Sequence, residues 1–80
     1  MSVTLVKHYV TETYDVNCAM GKPNVVFSDT YRDCRSYLIG ACKTERDRGY
    51  PIGIQTGNYA LVNIGKSATL KIAITDQYPH

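Results

Sequence analysis

At 80 residues the chain has room for one small domain and one modest core. Hydrophobic residues at 44% and charged residues at 20% exclude intrinsic disorder as the state of the whole chain. A formal charge of +2, with the two signs interspersed, excludes a binder that works mainly through a strong basic field, an acidic mimic of DNA and a polybasic membrane-seeking segment.

No run reaches the roughly 20 apolar residues that a membrane-spanning helix needs. Lys7 and His8 interrupt the stretch where a signal peptide would stay apolar, so the expected location is the cytoplasm. Cys18, Cys34 and Cys42 are an odd number without C-x-x-C spacing, which predicts reduced, buried thiols rather than a disulfide framework or a zinc site.

Taken in chain order, Val3 to Thr13 is dense in residues that fit a pleated surface and predicts a long strand. A second run from Tyr14 to Ala19 leads into Met20-Gly21-Lys22-Pro23-Asn24, whose Gly and Pro predict a turn before a strand at Val25-Val26-Phe27. Ser28, Asp29 and Thr30 are N-cap types, and Asp29 and Asp33 suit the positive end of a helix dipole. The helix predicted at about residues 29–48 buries Tyr31, Cys34, Leu38, Ala41, Cys42 and Glu45 at 3-4 spacing, with Tyr37 beside them. It turns Arg32, Arg35, Ser36 and Lys43 to water. Gly40 within it suggests close packing against a sheet, and Gly49-Tyr50-Pro51 supplies the stop. Strands follow at Ile52 to Thr56 and Tyr59 to Ile64 around a Gly57-Asn58 turn. After Gly65-Lys66-Ser67 comes a last strand through Leu70, Ile72 and Ile74, and then a loose tail over residues 76–80. The segregated order predicts a single-domain α+β fold, an antiparallel sheet with one helix on one face.

Motifs for chemistry are scarce. Gly65-Lys66-Ser67 lacks the upstream Gly and the following helix of a phosphate-binding loop. A cysteine nucleophile would need a histidine base, and only His8 and His80 are on offer. Asp29 and Asp33 read as capping acids, not as a proton-sharing or metal-binding pair. The reading is therefore a non-enzyme without cofactor or metal.

Seven tyrosines with no tryptophan and one phenylalanine are the compositional oddity. Tyrosine joins a large rigid contact area to a polar tip, so it serves strand packing and binding surfaces alike. Arg46, Arg48, Tyr50 and Tyr59, at or beyond the predicted helix end, are the expected partner-binding patch.

The segment Val25-Val26-Phe27-Ser28-Asp29-Thr30-Tyr31, leading from strand to helix, and Gly49-Tyr50 after it, give a strand-strand-helix-strand-strand order. In that order and in length the chain resembles compact proteins of bacteriophages and mobile elements, the anti-CRISPR proteins among them. The resemblance assigns no individual residue. It implies a stoichiometric inhibitor, in a host bacterial cytoplasm, that binds a CRISPR effector complex and blocks it. The near-neutral charge departs from the acidic members that mimic DNA.

Two further expectations stand beside that one. Exposed sheet tyrosines could stack the bases of RNA or single-stranded DNA while Lys7, Lys66 and Lys71 follow the phosphates. A free sheet edge could also pair with a second copy into a homodimer.

Overall fold

The computed structural model describes residues 7–17 and 19–79. It is an α+β domain with one helix and a six-stranded antiparallel sheet. In chain order the elements are β1 (His8–Val16), β2 (Ala19–Met20), β3 (Asn24–Asp29), α1 (Tyr31–Asp47), β4 (Ile52–Gln55), β5 (Tyr59–Gly65) and β6 (Ala68–Thr75).

The first predicted strand is longer than its Val3–Thr13 bounds at one end; residues 3–6 lie outside the described residues. Tyr14 to Val16, expected in a separate run, continue β1. The reversal comes at Asn17, whose φ of 55° is left-handed, a conformation that Asn tolerates better than most residues. Asn17 N also donates to Ser67 O at 2.9 Å, which ties this turn to the one before β6. The Gly21-Lys22-Pro23 stretch is thus no hairpin turn. It interrupts one side of the hairpin, because β2 pairs with β1 at Asp15 and Val16 and β3 pairs with it from His8 to Glu12.

The helix begins as its cap residues require. Thr30 Oγ1 accepts from Asp33 N at 3.3 Å, and Asp29 Oδ1 accepts from Thr30 N at 2.8 Å, so two otherwise unpartnered amides are satisfied. At the other end Gly49 has φ 92°, its N donates to Arg46 O, and Tyr50 N donates to Glu45 O, each at 3.0 Å. That is a Schellman motif, and its left-handed position is why Gly stands there.

The sheet runs β4, β5, β6, β1, with β2 and β3 sharing the far side of β1. β1 and β6 pair from Tyr9↔Thr75 to Val16↔Ala68, joining the interrupted hairpin of β1 with β2 and β3 to a β4-β5-β6 meander. α1 leaves β3 at one edge, crosses a single face and delivers the chain to β4 at the other. Cys34, Leu38 and Cys42 from the helix meet Val10, Ala60, Val62, Leu70 and Ile72 from the sheet, all at most 3% exposed. Phe27 and Tyr37, stacked with centroids 4.8 Å apart, extend this core.

Gly40 does not pack against the sheet. It is exposed, and a Cβ built on it meets nothing within 4 Å, because the buried stripe of Cys34, Leu38 and Cys42 turns it outward. The residues after β6, expected to be loose, include Tyr78, whose ring meets Tyr9 edge-on with centroids 5.4 Å apart. His80 lies outside the described residues.

Candidate binding surface

Strand alternation sets which side chains the helix covers. With Val10, Ala60, Val62, Leu70 and Ile72 buried beneath α1, their neighbours must project from the opposite face. The register arranges that face in rows: Tyr9 beside Thr75, then Thr11, Ala73 and Tyr59, then Thr13, Lys71 and Leu61, then Asp15, Thr69 and Asn63. Among the described residues no helix or strand lies over these rows. Two shallow hollows share Thr13, Met20 and Lys71. One reaches to Tyr78 and Pro79, the other to Tyr59 and Leu61. Small Thr and Ala side chains make the floor, and Met20, 73% exposed, stands at the rim.

Lys71 Nζ lies 5.7 Å from the centre of the Tyr59 ring, within the range of a cation–π contact. Among the described residues Lys71 makes no ion pair. Its ammonium and the phenol ring therefore form a joined polar-aromatic feature in the middle of the face.

Three of the four expected partner-binding residues stay together and the fourth leaves them. Arg46 Nη2 donates to Gln55 Oε1 at 3.1 Å, Arg48 Nη1 pairs with Glu45 Oε1 at 3.3 Å, and Tyr50 follows directly in the loop at 37% exposure. Tyr59 points the other way, since Ala60 next to it is fully buried under the helix. No single Tyr/Arg patch joins Tyr59 to Arg46, Arg48 and Tyr50. Of the three expected phosphate-tracking lysines, Lys71 lies within the rows of the uncovered face, Lys7 immediately precedes β1 and Lys66 occupies the β5–β6 turn. The alternation of Tyr9, Thr11 and Thr13 was a signal for this surface that composition alone hides.

The remaining candidate groups have structural roles. Burial pushes the Cys34 and Cys42 thiols up from their ordinary value, and Cys34 Sγ donates to Asp29 O at 3.6 Å; protonated, buried sulfur is a poor nucleophile. Cys18 lies outside the described residues. The Asp29 carboxylate accepts from Thr30 N just before the helix, and Asp33 stands in the helix's first turn. Among the described residues no three His, Cys, Asp or Glu side chains gather where a metal could be held, and no helix is long and apolar enough to cross a membrane. Set against protein-family models, curated proteins and solved structures, the chain matches none of them.

Proposed function

We propose that this chain is a non-catalytic binding protein that docks a larger protein partner on the uncovered sheet face and modulates it. The observation that carries this reading is the pair of adjoining hollows around Lys71, floored by small side chains and rimmed by Tyr59, Leu61, Met20 and Tyr78. Large rigid or pliable side chains around a shaped floor are what protein interfaces use. The paired rows of the face carry one cation, Lys71, and one acid, Asp15, a balance that suits a mixed protein surface better than a chain of phosphates. The narrower reading, inhibition of a CRISPR effector complex in a bacterial cytoplasm, rests on the architectural resemblance of the sequence.

A second reading has one specific observation behind it. Tyr59 with Lys71 beside it is a stacking ring next to a cation, the unit with which sheet surfaces hold single-stranded nucleic acid.

Affinity capture with the tagged protein, from nuclease-treated and untreated bacterial lysate, separates the two. The expected result is one stoichiometric protein complex in both arms, lost with Tyr59→Ala. Capture only in the untreated arm gives the function to nucleic acid.

A further inference from the structure

The outer surface of α1 carries a separate feature. Five of the nine Lys and Arg residues of the chain fall between positions 32 and 48. Arg48 is engaged by Glu45, but Arg32, Arg35 and Lys43 make no ion pair among the described residues. At about 100° per residue, Arg32, Arg35, Ile39, Lys43 and Arg46 fall within an arc of roughly 80°, along about 21 Å of helix at 1.5 Å per residue. The exposed acids Asp33 and Asp47 lie outside that arc, on the flank that leads round to Tyr37 and β3. The basic flank faces β4 and its turn: Arg46 reaches Gln55, and the Arg35 guanidinium lies over Gly57.

Inside this cationic stripe sits Ile39, 55% exposed. Together with Tyr31, Arg32, Arg35 and Ser36 it lines a shallow hollow on the helix. Tyr31 is held in place by donating from its hydroxyl to Asn58 Oδ1 and by the His8 ring, 5.1 Å away edge-on. The hollow is therefore built between a fixed aromatic wall and an exposed aliphatic one, with cations on either side.

We infer that this helix face is a second docking surface, for an acidic protein segment that presents one apolar side chain flanked by carboxylates. The apolar group fills the hollow between Tyr31 and Ile39, and the carboxylates meet Arg32, Arg35 and Lys43. Charge complementarity selects an anionic partner. Ile39 selects protein over nucleic acid, because a hydrated phosphate chain has nothing to bury against it, whereas an aliphatic partner gains from every apolar area it covers. The inference stands on a different surface from the sheet-face reading and survives if that reading fails.

The test is a titration of the isotopically labelled full chain, followed by amide chemical shifts. The probe is a synthetic peptide with one leucine between runs of Asp and Glu; its Leu→Ala version and a short DNA duplex are parallel arms. Expected are shifts confined to Tyr31 through Lys43, affinity that falls as salt rises from about 50 to about 300 mM, and roughly tenfold weaker binding of the alanine peptide. Arg35→Glu with Lys43→Glu, both at exposed positions, keeps a dispersed spectrum and abolishes the shifts. Absence of shifts on α1, equal affinity for the two peptides, or tighter binding of the duplex to the same amides overturns the inference.

Discussion

The Lys71 ammonium sits 5.7 Å from the centre of the Tyr59 ring, on neighbouring strands of the face that α1 leaves uncovered. The contact joins the two residues into one feature, and it is exposed enough to be worth only about 0.5–1 kcal/mol to the fold. Lys71→Met keeps the aliphatic stem and removes the charge. Its urea midpoint is expected to shift by less than about 1 kcal/mol equivalent, while retention of the captured partner falls at least as far as with Tyr59→Phe. Unchanged retention in Lys71→Met removes Lys71 from the interface.

Two glycines of the helix region should respond in opposite directions to the same change. Gly40→Ala adds a methyl where nothing lies within 4 Å and removes the entropy cost of a mid-helix Gly, a gain of about 0.5–1 kcal/mol. Gly49→Ala forces a side chain into φ 92° and costs about 1–2 kcal/mol. Thermal denaturation reads both, at roughly 4–8 °C per kcal/mol for a domain of this size.

The two buried cysteines differ in one respect that serine replacement exposes. At Cys34 a serine hydroxyl inherits an acceptor, Asp29 O, and the expected cost is about 1 kcal/mol. At Cys42, buried with no hydrogen bond to its sulfur among the described residues, the hydroxyl is stranded and the cost is about 1–3 kcal/mol. Denaturant unfolding of the two variants gives this order, and the reverse order would contradict the placement of Cys34 at the helix start.

Glu12 faces the helix side of β1, paired in register with buried Ile72. Burial, and then the Glu45 carboxylate, push its carboxyl above the ordinary 4.5. A carboxyl raised in the folded state favours folding in its protonated form, so its contribution is full below about 4.5 and is lost as pH rises through the folded value. Glu12→Gln is expected to stabilise the protein at pH 7, and the gain is expected to vanish as pH falls through the glutamate range. A gain that persists at pH 3 would show a packing effect instead.

The helix was legible because its signals agree: cap residues at Asp29 and Thr30, a buried stripe through Cys34, Leu38 and Cys42, and a Gly49 stop. The α+β order and the β4–β5 turn followed from periodicity. Gly40 misled because a lone glycine in a helix signals close packing only when it faces the core. The Tyr/Arg patch failed for a related reason: Tyr59 is near Arg48 in sequence, but the burial of Ala60 fixes the alternation that sends Tyr59 to the other side. Hairpin neighbours could be read from the sequence, but the order of strands across the sheet could not. That β1 lies beside β6 depends on contacts between distant segments, which no local pattern encodes.

That seam governs how the domain comes into being. Each half of the sheet closes through short turns, but β1 gains its inner neighbour only after β6 exists, and contacts so distant in the chain are the slow ones to form. Until β6 docks, one row of amides and carbonyls along β1 has no strand to pair with. A chain caught in that interval offers that row as a ready template to another copy.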